Sequence, residues 1–299
     1  MKILVTGASS QPGYKLLIKL LERQYEVIGI HYSNPIPLKH RLLRKIRLDI
    51  TNDVKFQDLI IKERPDVIYH LAAYGDVDGC ERNKEKAWRT NVLATRSLAT
   101  MAELVNAFFV YLSTDYVFDG NRGFYSEYDT PYPVNYYGLT KLMGEVVVMS
   151  RCSRYAIVRT SSIYGLGPGR KNFAKFLIEK LGNNETVKAL IDQYTSPTHG
   201  TLLAEALLDI GENFKNGVFH VAGMRMSRYE FAVKVAETLG FDKSLIKEAS
   251  INDFNWYAKR PRDSSLKFEE TKKKVSSDFY STERAMSILR EEYERLVGV

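Results

Sequence analysis

The sequence predicts a doubly wound α/β fold, with a smaller C-terminal lobe for substrate. Three observations carry this. Over roughly the first 160 residues, short apolar runs alternate with segments of helical period, the order that a parallel sheet with covering helices requires. A glycine-bearing turn, Val5-Thr6-Gly7-Ala8-Ser9-Ser10-Gln11-Pro12-Gly13, follows the first apolar run and opens the first helical segment. After about Thr160 the rhythm becomes irregular and turn-rich. The expected division is a Rossmann-type dinucleotide-binding domain over residues 1–160 and a mainly substrate-binding lobe over 161–299, some of whose segments return to the first domain.

The expected strands are Lys2–Val5, Glu26–Ile30, Ile46–Leu48, Val67–Leu71, Phe108–Leu112 and Tyr155–Val158. Each is a short apolar run, the pattern of a strand buried on both faces. The expected helices are Gly13–Glu22, Val54–Lys62, Lys84–Val105 and Tyr136–Ser150. Later, Ser227 followed three residues on by Glu230 is a capping box that opens a helix through about Leu239. A final helix is expected over Thr282–Leu296. The sequence holds neither repeats nor low-complexity tracts.

Composition narrows the class. With 299 residues and 44% hydrophobic residues, the chain can bury a sizeable core, and wholesale disorder is excluded. Two cysteines, Cys80 and Cys152, are too few for a disulfide framework and lack metal-site spacing, so free thiols and no metal are expected. No apolar run is long enough to span a bilayer, and strand-like sequence begins at Lys2, so a cytoplasmic protein without a membrane partner is expected. The net charge of +7 fits an enzyme for phosphorylated substrates. Nucleic acid is not the expected partner, because the basic residues are scattered apart from short runs at 39–47 and 272–274.

The glycine turn is where a dinucleotide is expected. Glycines let the backbone approach a pyrophosphate, which then meets the unpaired N–H groups of the helix N-terminus. The expected contacts are Gly7, Ser9, Ser10, Gln11, Pro12 and Gly13. An acidic residue after the second strand would hold a ribose 2′-hydroxyl, but none lies between Val27 and Leu48. His31 stands there, and Lys39, His40, Arg41 and Arg44 follow. NADP(H) is therefore expected, with His31 and Arg41 near its 2′-phosphate and NAD(H) as the alternative. Asp49-Ile50 and Leu71-Ala72-Ala73 end later strands at the carboxyl edge, where ligands of such sheets bind. Asp49 is expected either to accept from the adenine amino group or to cap the next helix.

The fifth strand runs into Ser113-Thr114-Asp115-Tyr116, and Tyr137 and Lys141 follow four residues apart. That spacing puts both on one helix face. A nearby ammonium is expected to lower the tyrosine pKa, so that Tyr137 can act as general acid toward a carbonyl accepting hydride. A strand-end hydroxyl can hold the same oxygen.

These residues resemble those of the extended short-chain dehydrogenases/reductases, and more narrowly the dTDP-4-dehydrorhamnose reductase family. The matching segments run in order along nearly the whole chain: Ser113 to Gly120, Tyr136 to Lys141 with Gly144-Glu145, Arg159-Thr160-Ser161, Tyr164-Gly165, Asp192-Gln193, Ser196-Pro197-Thr198, Tyr229 to Ala232, and Arg260-Pro261. The resemblance implies that Tyr137 donates the proton, that Lys141 tunes it and holds the nicotinamide ribose, and that Thr114 binds the reacting oxygen. It also implies Asn91 near the cofactor, and Ser113, Tyr116, Asn172, Gln193 and Ser196 toward a nucleotide-sugar substrate. Two departures stand out. Ser10 replaces a middle glycine of the turn, and Ser162 replaces the tryptophan usual after Arg-Thr-Ser. The implied reaction is NADPH-dependent reduction of the 4-keto group of a nucleotide-linked deoxysugar, in a chain that could form a homodimer. The chain also resembles the regulatory β subunit of methionine adenosyltransferase, which implies a non-catalytic NADP-binding partner of that enzyme. A nucleotide-sugar epimerase is the third reading, and His31 in place of an acid argues against it.

Overall fold

A computed structural model describes residues 1–298. Seven parallel strands form one sheet. The first six in the chain are β1 (Lys2–Thr6), β2 (Glu26–His31), β3 (Leu43–Arg47), β4 (Val67–His70), β5 (Phe108–Thr114) and β6 (Tyr155–Thr160). The spatial order is Gly217–His220, β6, β5, β4, β1, β2, β3. The chain therefore starts in the middle of the sheet and winds outward both ways. The reversal lies between β1 and β4, where the carboxyl edge opens a crevice for a ligand.

Alternation along β1 divides the interior in two. Ile3 and Val5 face Leu16, Leu17 and Leu20 of helix α1 (Gln11–Glu22). Leu4 faces the opposite layer, with Phe56 and Ile60 of helix α2 (Asp53–Glu63) and Leu98 further on. Each layer buries apolar side chains that the strands present every second residue.

Several boundaries differ from those expected. The third strand is Leu43–Arg47 rather than Ile46–Leu48. It is the sheet's edge, with Arg44 and Lys45 exposed, so its charges hid it in the sequence. Helix α1 begins at Gln11, because Ser10 caps it and accepts from the Gly13 N–H at 3.2 Å. The long helix expected over Lys84–Val105 is interrupted by one π-helical stretch, Arg89–Leu93. Beyond residue 160 the chain holds a helix the sequence reading missed, Gly200–Glu212, packed against α1. Ten of its thirteen residues are buried, so no polar face marks its period. The capping box at Ser227 and Glu230 is present and opens the helix Arg228–Leu239, and the last helix is Thr282–Val297.

Glu292 ties that last helix to the front of the molecule. It meets Lys15 of α1 at 2.5 Å, accepts from the Leu166 N–H at 2.7 Å, and lies 3.5 Å from His199. Burial works against its charge, but His199 and Lys15 outweigh burial and hold its carboxyl down at about 2, from 4.5. A depressed acid contributes stability above its unfolded pKa, and loses it as pH falls through the folded value. Glu292→Gln is expected to cost on the order of 3 kcal/mol at neutral pH and progressively less between pH 4.5 and 2, read by urea unfolding.

Candidate active site

The glycine turn is shaped for close approach. Gly7 has φ +67°, and a Cβ there would stand 2.8 Å from the Ala72 nitrogen. At Gly13 a Cβ would meet the Gly7 carbonyl oxygen at 2.2 Å. In front of the turn lies an open cleft of about 780 Å³ along the carboxyl ends of β1, β2 and β4. Gly7, Ser9, Ser10, His31, Asp49, Ile50, Leu71, Ala72 and Ala73 all line it. Gly13 supports the turn from behind. Ser10, in place of the middle glycine, turns its hydroxyl into the helix cap rather than across the cleft. Asp49 accepts from the Thr51 N–H and hydroxyl at 2.9 and 2.8 Å, and Asn52 rather than Asp49 caps α2.

Arg41 is a correction. It precedes β3, and because β3 runs parallel to β2 its start lies at the amino edge of the sheet, away from the cleft. Its guanidinium reaches Gln24, and Arg44 pairs with Glu63 at 2.7 Å. Tyr32, Ser33 and Asn34 line the cleft after β2 instead. Arg41→Ala is therefore expected to leave the NADPH dissociation constant unchanged in a fluorescence titration, and a clear weakening would place Arg41 back at the cofactor.

A second cleft, of about 390 Å³, continues from the first and shares Ser10, Leu71, Ala73 and Arg170 with it. It contains Thr114, Tyr137 and Lys141 together, with Gln11, Pro12, Ser113, Ser162 and Asn172. Two elements converge there. β5 delivers Thr114 at its last residue. The helix Tyr136–Arg151, capped by Asn135, delivers Tyr137 and Lys141. Its first turn packs tightly on the end of β5, since a Cβ on Gly138 would fall 2.1 Å from the Tyr116 carbonyl oxygen. The Tyr116 and Tyr137 rings meet edge to face at 6.0 Å.

Lys141 is 3% exposed, and its ammonium sits 4.0 Å over the Tyr111 ring. Burial draws its pKa down to about 7, opposed by the charge of Glu145 one turn on. Glu145 is itself buried, paired with Arg159 at 2.7 Å and accepting from Ser113 at 2.5 Å. The expected lowering of the Tyr137 pKa is not what this arrangement shows. Burial pushes Tyr137 up, with the neighbouring Thr114 hydroxyl opposing. Desolvation penalises the phenolate and the ammonium alike here.

Other expected contacts take different roles. Asn91 uses all its polar groups inside the fold: it accepts from the Tyr74 N–H at 2.8 Å and donates to the Tyr74 carbonyl and to Thr140. It lines neither cleft, and ties the loop after β4 to the helix Tyr136–Arg151. Ser113 borders the second cleft, but its hydroxyl is committed to Glu145. Ser196 is fully buried, donating its N–H to Ser161 and accepting from the Leu266 N–H. Gln193 holds the Pro261 carbonyl and the Arg228 side chain. These two tie segments beyond residue 160 to one another and line neither cleft. Asn172 caps the helix Phe173–Gly182 from the cleft's edge. Ser162, where the tryptophan was expected, sits in the cleft with φ +43°.

Sequence reasoning missed Arg170, which lines both clefts and lies 3.6 Å from Asp76, and Asp115, buried behind Thr114. Arg170 lies among glycines in a turn-rich stretch that carries no periodic signal. Asp115 was legible only as part of the Ser-Thr-Asp-Tyr segment.

A parallel sheet with a glycine turn, and a Thr, Tyr and Lys cluster at its carboxyl edge, defines a Rossmann-type protein of the dehydrogenase/reductase kind. The chain belongs to the RmlD substrate binding domain family, whose profile matches residues 1–293. It is 33% identical to the probable low-salt glycan biosynthesis reductase Agl14 of Haloferax volcanii, over 89% of each chain. It is 31% identical to methionine adenosyltransferase 2 subunit beta of Xenopus laevis, over 82% of this chain and 74% of that one. Among solved structures, the dTDP-4-dehydrorhamnose reductase of Bacillus anthracis in complex with NADP is 30% identical with a TM-score of 0.86, covering 96% of this chain and 98% of that one. Among the described residues, no helix is long and apolar enough to cross a membrane, and no cluster of His, Cys, Asp or Glu could hold a metal ion.

Proposed function

We propose that this protein is an NADPH-dependent reductase of the 4-keto group of a nucleotide-linked deoxysugar, of the dTDP-4-dehydrorhamnose reductase type. The single observation that carries the reading is the junction of the two clefts: a dinucleotide laid along the glycine turn would end beside Thr114, Tyr137 and Lys141. The residues fit such a cofactor. Gly7 leaves a cradle that a Cβ would fill, and His31 presents a buried, unpartnered Nδ1 at the wall where a ribose would lie. The reduced nicotinamide, when bound, supplies hydride for the keto carbon.

The chain's residues do the rest. Gly7, Ser9 and Ser10 with the start of α1 receive the pyrophosphate, and Asp49, Ile50 and Leu71 flank the adenosine end. Lys141 holds the nicotinamide ribose. Tyr137 gives its phenolic proton to the substrate oxygen as the carbonyl becomes a secondary alcohol, and Thr114 holds that oxygen in place. Because burial raises the Tyr137 pKa, the phenol stays protonated and available as a donor through neutral pH. The second lobe, from about residue 161, would hold the nucleotide sugar against this edge. A relation to the regulatory β subunit makes a non-catalytic role the competing reading.

The test follows NADPH absorbance on addition of dTDP-4-dehydro-L-rhamnose. Oxidation with sugar-dependent saturation supports the reductase. NADPH binding without oxidation, with an adenosyltransferase retained in a pull-down, supports the regulatory reading instead.

A further inference from the structure

Asp115 is a buried carboxylate bonded directly to Thr114 that the mechanism above leaves unused. It is 2% exposed, and among the described residues no cation pairs with it. Three hydroxyls surround it. Thr114 Oγ1 lies 3.0 Å from Oδ1, and Ser161 and Ser264 lie 2.8 and 2.5 Å from Oδ2. Two of the three come from the second lobe: Ser161 just after β6, and Ser264 in the segment after Arg260-Pro261. Ser264 is anchored there by its own N–H to the Tyr194 carbonyl.

A hydroxyl has one proton and two acceptor positions. Facing an ionised Asp115, Thr114 commits its proton to Oδ1, and one of its acceptor positions takes the Tyr116 N–H at 3.3 Å. Held so, Thr114 has no proton for the oxygen of a substrate. A protonated carboxyl reverses the arrangement, because it carries a proton of its own.

We propose that Asp115 is a positioning residue that sets the direction of the Thr114 hydroxyl: ionised, it takes the Thr114 proton; protonated, it donates to Thr114 Oγ1 and turns the Thr114 proton toward the reacting oxygen. The Ser161 and Ser264 contacts make this setting depend on the segments beyond residue 160. The inference rests on the reductase reading of the same cleft. Burial raises the Asp115 pKa, against the three hydroxyls and the charge of Arg228. The other groups facing this corner are the Tyr137 phenol on the catalytic helix, the Tyr116 phenol in the same turn, and Arg260 with Asp78 beyond Tyr116. The Ser264 hydroxyl bonds to Asp115 and not to Lys141.

Ser264→Ala separates the possibilities with little risk to the fold. It removes one hydrogen bond that favours the charged carboxylate, so the Asp115 pKa must rise, by about one pH unit for a charge-assisted bond. Activity that needs protonated Asp115 falls as pH rises through that pKa, so the falling limb of the kcat pH profile moves up by the same amount. The protonated-carboxyl stretch in the infrared, identified by its loss in Asp115→Asn, titrates upward in parallel. Asp115→Asn, whose amide can donate to Thr114 permanently, retains turnover and loses this limb. A limb that stays in place in Ser264→Ala while the infrared midpoint moves overturns the proposal, as does an Asp115→Asn profile identical to that of the parent. If Asp115→Asn fails to fold, Ser264→Ala alone decides. An infrared midpoint that moves in a protein without turnover leaves the hydrogen-bond setting standing and sinks the reductase reading. A midpoint that does not move overturns the setting itself.

Discussion

Replacing Tyr137 by Phe is expected to lower kcat by about 10²–10⁴-fold, the range for removal of a general acid, with NADPH affinity unchanged. The substitution removes one oxygen and keeps the ring. The ring contact with Tyr116 at 6.0 Å therefore remains, and so does the packing of Gly138 on the turn after β5. What disappears is the proton source for the substrate oxygen. The measurement is a steady-state assay with NADPH and the keto-sugar beside a fluorescence titration of NADPH. A loss of cofactor binding instead of kcat would make Tyr137 a structural residue, and unchanged turnover would remove it from the chemistry altogether.

The second large effect is expected at the glycine turn. Gly7→Ala places a Cβ 2.8 Å from the Ala72 nitrogen at a φ of +67°. Ala72 cannot move aside, because its N–H donates to Thr6 Oγ1 at 3.2 Å, and that hydroxyl is in turn held by His70 at 2.8 Å. The left-handed backbone costs about 1–2 kcal/mol for a residue with a Cβ, and overpacking about 1–3 kcal/mol more. Together these make a loss of about 2–5 kcal/mol, shared between the fold and the cofactor cradle. Thermal unfolding with and without NADPH divides it: a lower Tm for the free protein reports strain, and loss of the NADPH-induced rise in Tm reports the cradle. A variant with parental Tm and parental affinity would show that the turn does not press on the strand end as described.

The legibility of this protein in its sequence follows the length of its signals. β1, β4, β5 and β6 are short, mostly apolar runs, and their places along the chain could be read directly. Tyr137 and Lys141 are four residues apart on a helix, and Thr114 ends a strand, so their convergence followed from local geometry. Arg41 failed because its position depends on where an edge strand begins, and β3 carries too many charges to read as a strand. Asn91, Gln193 and Ser196 failed for another reason. Their side chains are consumed by backbone partners more than fifteen residues away in sequence, at Tyr74, Pro261 and Leu266, which no spacing rule reports. The Tyr137 pKa went the other way from expectation because the sequence shows the neighbouring lysine but not the burial of both.

The most direct test of the central claim is the fate of a deuteride. NADPH carrying deuterium at the transferable position of its nicotinamide would be incubated with this protein and dTDP-4-dehydro-L-rhamnose, and the sugar product read by mass spectrometry and NMR. The account predicts one deuterium per product on the carbon that was the 4-keto carbon, with no transfer in Tyr137→Phe beyond the residual rate. Bound NADPH that keeps its label in the presence of the sugar would contradict it.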